Sequence, residues 1–121
     1  MAKMKAALLY GPKDVRIEEI EVPKPGLGEV LVKIKAALTC GTDAKVFLRG
    51  GHPRMIKPPA VFGHEFAGEV AGGGAGVKNF SAGDRVVAAN SAPCNHCFYC
   101  RINRQSLCED LLFINGAYAE Y

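Results

Sequence analysis

The chain has 121 residues, nearly half of them apolar, and a formal net charge of +3. This length supports one buried core, and the apolar content with moderate charge excludes a disordered protein. No apolar run approaches the ~20 residues that a membrane-spanning helix needs. No basic stripe with interleaved aromatic residues points to nucleic acid. We therefore expect one globular domain over residues 1–121 that binds neither a membrane nor nucleic acid.

Short apolar or alternating runs separated by turn residues dominate the chain. The runs predicted as strands cover residues 5–10, 15–22, 30–35, 61–70 and 85–89, and the run over 61–70 is broken at Gly63 and Gly68. A helix of one or two turns is predicted over residues 42–48. The chain also holds 14 glycines and 7 prolines, which end strands and favour tight connections. Because strands do not alternate with helices, the pattern predicts a mainly β fold, a small barrel or sandwich.

A glycine-rich segment over residues 71–76 invites comparison with a phosphate-binding loop. A dinucleotide fingerprint needs Gly-x-Gly-x-x-Gly between a strand and a helix. Here Val77 occupies the last glycine position, and the residues after it do not predict a helix. We interpret the segment as a turn that connects the strands of a hairpin.

Four closely spaced cysteines form the most specific motif of the chain: Cys94, Cys97, Cys100 and Cys108. The spacing is Cys-x2-Cys-x2-Cys-x7-Cys. Tight knuckle turns can bring the first three sulfurs together, and the seven-residue gap has room for a short helical turn before the fourth. Zn²⁺ favours tetrahedral thiolate coordination, and a structural site fills all four positions with protein ligands. The motif therefore predicts a structural zinc lobe over residues 91–110. We interpret His96, which lies between two of the cysteines, as a solvated knuckle residue; replacement of one cysteine as a ligand is the alternative.

Three alternatives compete with zinc at this motif: disulfides, an iron–sulfur cluster and buried free thiols. The chain begins without an apolar signal segment and has an odd count of 5 cysteines, which favours reduced thiols and a cytoplasmic location. The bacterial ferredoxin run keeps three residues before its fourth cysteine and a proline after it. Here the gap is longer and Glu109 follows.

Ligand-type residues also gather in two other short segments, residues 40–43 and 63–65. A catalytic zinc takes three protein ligands and keeps one position open, and Cys40, His64 and Glu65 supply suitable donors. Asp43 could accept a hydrogen bond from the second ring nitrogen of His64. Thr42 offers a hydroxyl for a proton relay. A purely structural role for these residues is the alternative.

Taken in order, the motifs resemble the N-terminal, GroES-like catalytic domain of the zinc-containing medium-chain alcohol dehydrogenases, nearest the branch of sorbitol and threonine dehydrogenases. The segments that carry the resemblance are residues 40–43, 59–68, 83–86 and 116–121, together with the four-cysteine lobe. The resemblance implies a GroES-like, partly open β-barrel with a few short helices and a zinc-knuckle lobe.

The resemblance also implies roles for single residues. Cys40 and His64 would bind a catalytic zinc, with Glu65 as third ligand or immediate neighbour, and Asp43 would orient His64. Thr42 would accept the proton of the substrate hydroxyl. Lys45 stands where family members often carry a histidine at the outer end of the proton relay. The zinc would act as a Lewis acid on an alcohol or polyol, and the hydride would pass to NAD or NADP.

The family's chain continues into a Rossmann domain, which binds the nicotinamide and supplies the remaining zinc ligand. No nucleotide fingerprint occurs in residues 1–121. We therefore expect this chain by itself to lack dehydrogenase activity and to associate as a homo-oligomer through an apolar face. The alternative is a non-catalytic, zinc-binding GroES-like interaction module. The residue set around Cys40 and His64 favours the enzyme.

Overall fold

The computed structural model describes residues 1–121. It contains eight β-strands, two α-helices and one 3-10 helix. In chain order they are β1 (Lys3–Gly11), β2 (Asp14–Glu21), β3 (Val30–Leu38), α1 (Gly41–Arg49), β4 (Ala60–Val61), β5 (Glu65–Gly73), β6 (Arg85–Val87), β7 (Ser91–Ala92), α2 (Phe98–Arg101), the 3-10 helix (Gln105–Leu107) and β8 (Leu112–Phe113). The prediction of a mainly β fold with a few short helices is confirmed. No helix has the length and apolar character needed to cross a membrane.

Two antiparallel, three-stranded sheets form the body of the molecule. One has the strand order β2-β1-β4 and the other the order β3-β5-β6. The β1–β2 hairpin pairs Lys3 with Glu21 and Leu9 with Val15, whereas β3 pairs with β5 across the intervening α1 and β4. The strands do not close into a complete barrel, which agrees with the predicted partly open arrangement.

A small apolar cluster holds α1 against the first sheet. Its buried members are Leu9, Val46, Ile56 and Phe62. Leu9 of β1 is fully buried, and burial of a leucine side chain stabilises a fold by about 1.5–3 kcal/mol. Because Val46 lies on α1 and Phe62 directly precedes the segment with His64, this cluster fixes both segments that carry the predicted zinc ligands.

The start of α1 is fixed by a capping box. Cys40 is the N-cap residue, and its Sγ accepts the backbone N–H of Thr42 at 3.3 Å. Asp43, at the third helical position, accepts the backbone N–H of Cys40 at 3.1 Å. Such reciprocal bonds satisfy the free N–H groups at a helix start. Gly50 caps the C-terminal end of the helix with a φ of 82°. It lies so close to Pro12 that no side chain would fit there.

The strand character over residues 61–70 is broken at Gly63, as the sequence predicts, but not at Gly68, which lies within β5. The break at Gly63 creates the site. Gly63 separates β4 from β5 with a φ of 85°, a backbone conformation that favours glycine. A Cβ there would lie 2.7 Å from the ring of Tyr118. The Gly63 carbonyl accepts the N–H groups of Gly116 and Ala117. At this close approach the chain passes from β4 of the first sheet to β5 of the second, and His64 lies between the two strands.

The glycine-rich segment is only partly the turn that the sequence predicts. Gly72 and Gly73 belong to β5, where they pair with Leu31 and Val30 of β3. Glycine has no side chain and so adds nothing to the apolar alternation that predicts a strand. The sequence-based prediction therefore placed these two residues in the turn. The segment leads from β5 to β6, which pair antiparallel. The interpretation as a hairpin connection therefore holds for the residues that follow Gly73.

The four cysteines lie on a lobe with its own two-stranded sheet. β7 and β8 pair antiparallel at its base, with Ser91 opposite Phe113 and Ala92 opposite Leu112. The chain between them forms α2 and the 3-10 helix. Both elements are short and have no side-chain caps, so the lobe has little regular structure of its own.

Candidate metal centres

Cys40, His64 and Glu65 bring one sulfur, one nitrogen and one oxygen donor together, within 4.8 Å of one another. Cys40 Sγ lies 3.2 Å from His64 Nε2, and Glu65 Oε1 lies 3.8 Å from the same nitrogen. A tetrahedral zinc ion with ordinary bond lengths places its sulfur and nitrogen ligands about 3.6 Å apart. The donor types and their separation therefore fit zinc.

The three donors differ in burial. His64 is 6% exposed, whereas the side chain of Glu65 is 46% exposed. Cys40 is partly buried at the N-cap of α1. The sulfur and the imidazole are thus held by the fold, while the Glu65 carboxylate faces solvent and has room to move toward or away from an ion.

Asp43 lies behind the imidazole of His64 on the side away from Cys40. Its Oδ1 is 3.2 Å from His64 Nδ1, and the carboxylate is only 3% exposed. A carboxylate has acceptors and no donor, so the ring must donate its Nδ1–H to Asp43. The Nε2 lone pair then faces Cys40 and Glu65. This is the carboxylate–histidine arrangement that orients zinc ligands.

Tyr118 makes a further contact with Asp43 that the sequence did not reveal. Its hydroxyl donates to Asp43 Oδ2 at 3.1 Å and lies 2.7 Å from the hydroxyl of Thr39. Burial, together with the hydrogen bond to Asp43, raises the pKa of Tyr118, so the phenol keeps its proton. The only sequence signal was the position of Tyr118 in the closing Gly-Ala-Tyr segment.

Thr42 and Lys45 lie on α1 outside the donor cluster. Thr42 is partly buried in the first turn, beside Cys40. Lys45 is exposed, and residues two apart on a helix, as Lys45 and Asp43 are, do not share a face. The structure therefore brings Thr42 near the donor cluster and leaves Lys45 toward solvent.

A cleft of about 480 Å³ opens beside His64 and Glu65. Most of its lining is apolar, with Leu38, Phe66 and Val87 among the wall residues. A mostly apolar cleft with a few convergent polar groups is the usual form of a small-molecule site. An organic molecule in this cleft would meet the donor cluster at one end.

The second candidate centre is the four-cysteine lobe, whose sulfurs also lie within 4.8 Å of one another. Cys94 Sγ is 4.0 Å from Cys100 Sγ, close to the about 3.8 Å that separates sulfurs around a tetrahedral zinc. All five cysteines are free, which excludes disulfides in this structure. The geometry fits a four-thiolate zinc site.

Backbone N–H groups point at the sulfurs of the lobe. The Cys94 and Asp110 amides donate to Cys108 Sγ, at 3.3 and 3.4 Å. Amide hydrogen bonds from Cys100 and Glu109 lower the pKa of the Cys97 thiol to about 6, because they stabilise the thiolate. Burial instead raises the pKa of Cys100 to about 12. The Cys97 sulfur is thus prepared to be a thiolate, whereas the buried Cys100 sulfur needs a cation nearby to ionise.

His96 lies at the surface of the knuckle, as interpreted from the sequence. Its Nδ1 lies 2.8 Å from the Cys94 carbonyl, and the residue is exposed. A carbonyl oxygen only accepts, so this nitrogen donates and is not free to bind a cation. His52 likewise serves a turn, because its Nδ1 accepts the amides of Arg54 and Met55.

The alcohol dehydrogenase GroES-like domain matches residues 26–121. The chain belongs to this family. L-threonine 3-dehydrogenase of Stenotrophomonas maltophilia (strain K279a) is 42% identical over 114 residues, which are 90% of this chain and 34% of that protein. The family resemblance stated from the motifs is therefore confirmed.

Solved structures agree in fold. The cobalt- and zinc-bound thermostable alcohol dehydrogenase of Pyrobaculum aerophilum superposes with a TM-score of 0.86 at 35% identity, over 98% of this chain and 38% of that one. An alcohol dehydrogenase of Escherichia coli CFT073 complexed with NADH gives a TM-score of 0.87 at 35% identity, over 99% of this chain and 35% of that one. The chain thus spans roughly a third of the length of these relatives.

Proposed function

We propose that residues 1–121 form the zinc-binding catalytic domain of an NAD(P)-dependent dehydrogenase that oxidises a small alcohol or polyol. One observation carries the proposal: Cys40 Sγ and His64 Nε2 meet at 3.2 Å, with a buried carboxylate fixing the opposite side of the ring. A protein that used this fold only as a scaffold would have no need for that arrangement. The metal named for the Pyrobaculum relative adds support.

In this proposal Cys40 and His64 hold the catalytic zinc, with Glu65 as third ligand or immediate neighbour. The bound zinc supplies Lewis-acid polarisation of the substrate hydroxyl. Asp43 keeps the proton on Nδ1 of His64, so Nε2 presents its lone pair to the metal side. Because Glu65 is half exposed, it can leave one coordination position to the substrate.

The proton of the substrate hydroxyl passes to Thr42, whose backbone N–H bonds Cys40 Sγ in the first turn of α1. Lys45, exposed one turn further along α1, is the outer end of this route to solvent. The apolar wall that includes Leu38, Phe66 and Val87 receives the carbon chain of the substrate. The hydride acceptor is NAD or NADP, in keeping with the NADH named for the Escherichia coli relative.

The lobe over residues 91–110 holds a second zinc with a structural role. Its four sulfurs leave no position for a substrate, because structural zinc is fully enclosed by protein ligands. The short elements of the lobe gain their order from the metal, as small metal-bound modules do. Such thiolates must stay reduced, which supports a cytoplasmic protein. Association into a homo-oligomer stays a prediction.

Metal content tests the two-site proposal. We expect the chain purified with excess zinc to hold two ions per molecule by elemental analysis. Cys40→Ser should lose one ion and keep the lobe ion. Cys97→Ser should lose the lobe ion, with the Cys40 site retained wherever the variant stays folded. A single ion that survives Cys40→Ser in full would contradict the catalytic site and support a non-catalytic zinc-binding module.

A further inference from the structure

Tyr118 joins three parts of the molecule next to the proposed catalytic zinc site. Its hydroxyl is 2.7 Å from Thr39 Oγ1, 3.1 Å from Asp43 Oδ2 and 3.3 Å from the Leu38 carbonyl oxygen. Leu38 ends β3, Thr39 lies in the loop that follows, and Asp43 lies on α1. One phenol therefore contacts both the loop that leads to Cys40 and the carboxylate that orients His64.

Counting protons fixes the direction of these bonds. The phenol has one proton, and both the Asp43 carboxylate and the Leu38 carbonyl can only accept. A charged acceptor forms the stronger bond and is the nearer of the two, so the proton goes to Asp43. The Thr39 hydroxyl then donates to the phenol oxygen. The result is a chain of bonds from Thr39 through Tyr118 to Asp43 and on to the ring of His64.

The backbone and ring of Tyr118 are held independently of this bond. Its N–H donates to the Phe62 carbonyl at 2.9 Å, and its carbonyl accepts the Ala7 N–H at 2.8 Å. The ring meets Phe62 edge to face at 5.4 Å between centroids and lies against Gly63. The hydroxyl is thus presented to Asp43 from a rigid position.

We propose that Tyr118 is a positioning residue for the catalytic metal site. Its proton fixes Oδ2 of Asp43, so that Oδ1 stays in line with Nδ1–H of His64. The Cys40 amide bonds the same Oδ2 at 3.1 Å, and the two donors together leave the buried carboxylate a single orientation. The proposal rests on the proposed function in one step, the use of His64 Nε2 as a metal donor.

The direct test needs no metal. In the metal-free chain, long-range ¹H–¹⁵N correlation spectra report which nitrogen of His64 carries the proton. We expect the native chain to hold the Nδ1–H form. Tyr118→Phe keeps the ring and its packing and should shift His64 measurably toward the Nε2–H form. Tyr10→Phe is the matched control, because the Tyr10 hydroxyl donates to the Glu18 carboxylate at 2.8 Å in the β1–β2 hairpin. This variant should leave the His64 tautomer unchanged. An unchanged His64 in Tyr118→Phe would overturn the proposal.

A second measurement separates positioning from packing. With the lobe first loaded with zinc, Co²⁺ titration reports the affinity of the Cys40 site. Loss of a hydrogen-bond partner of a metal ligand lowers metal affinity about 10–100-fold. Tyr118 lies one hydrogen bond further from the metal than such a partner. Tyr118→Phe should therefore weaken Co²⁺ binding about threefold to tenfold. In an Asp43→Asn background the same change should have no further effect. Equal losses in both backgrounds would show that Tyr118 acts through packing and would overturn the proposal.

The two measurements also keep the hypotheses apart. If the native chain binds no Co²⁺ at the second site, the proposed function fails, while the His64 spectra still decide whether Tyr118 orients the ring through Asp43. If the native chain binds Co²⁺ and Tyr118→Phe changes neither readout, only the positioning role fails.

Discussion

At the scale of single residues, Asp43 decides what the site can do. A buried carboxylate is costly unless its oxygens are hydrogen-bonded, and this one receives bonds from Cys40, Tyr118 and His64. Two of those bonds come from backbone or aromatic groups that the fold already holds. The hydrogen bonds that satisfy the buried Asp43 carboxylate therefore fix the orientation of the His64 imidazole without any metal present.

Replacing this carboxylate tests its role. Asp43→Asn keeps the size of the side chain, but its amide can turn an NH₂ group toward His64 and favour the wrong ring tautomer. We expect the affinity of the Cys40 site for Co²⁺ to fall about 10–100-fold. Competition with a chelator measures this. Asp14→Asn is the control, since Asp14 is an exposed partner of Arg16. Native affinity in Asp43→Asn would contradict the orienting role.

The residue-level predictions from sequence succeeded where the motif is local. Four cysteines at short spacing must lie near one another whatever the fold, so the cage could be predicted directly. Cys40 and His64 are far apart in sequence, so their donor chemistry only suggested a shared ion, and the family resemblance gave that suggestion its weight. Tyr118 is further still from Asp43, and nothing in the residue pattern says that its hydroxyl reaches that carboxylate.

At the scale of elements, the helix start and the strand break carry the site. The helix α1 was predicted within a residue at each end, because a polar-then-apolar run lies between Gly41 and the loop glycines Gly50 and Gly51. The break at Gly63 was predicted from the glycine itself, whereas the break predicted at Gly68 is wrong, because β5 runs through Gly68 opposite Ile34 of β3. The sequence could not show the tertiary contact at Gly63, where the ring of Tyr118 lies against the backbone.

This contact makes Gly63 a sensitive position. In Gly63→Ala the added Cβ would lie 2.7 Å from the Tyr118 ring at a φ of 85°, and such backbone strain costs about 1–3 kcal/mol. We expect the free energy of unfolding to fall by about that amount in urea denaturation and the Cys40 site to bind Co²⁺ more weakly.

Gly72→Ala provides the comparison, because a Cβ at Gly72 meets nothing within 4 Å. Its unfolding free energy should stay within about 0.5 kcal/mol of the native value. If both variants unfold alike, the close approach of Tyr118 to Gly63 does not constrain the fold, and the explanation for the strand break is wrong.

At the scale of the whole molecule, the two metal centres have different origins. The lobe draws its order from ligands close in sequence, which lie between the two strands of a separate short sheet. The Cys40 site is assembled by the fold itself, from a helix cap, a strand break and the closing segment around Tyr118. The lobe should therefore bind metal in variants that damage the Cys40 site, while the Cys40 site depends on both sheets.

The most direct test of the account is the coordination of zinc at the Cys40 site. Cd²⁺ can occupy the four-thiolate lobe first, because soft metals favour thiolates, and zinc added afterwards is then observed separately by X-ray absorption. We expect one sulfur neighbour at about 2.3 Å, with nitrogen and oxygen neighbours at about 2.0–2.2 Å, and no sulfur neighbour in Cys40→Ser. A native spectrum without that single sulfur would contradict the claim that Cys40 and His64 share an ion.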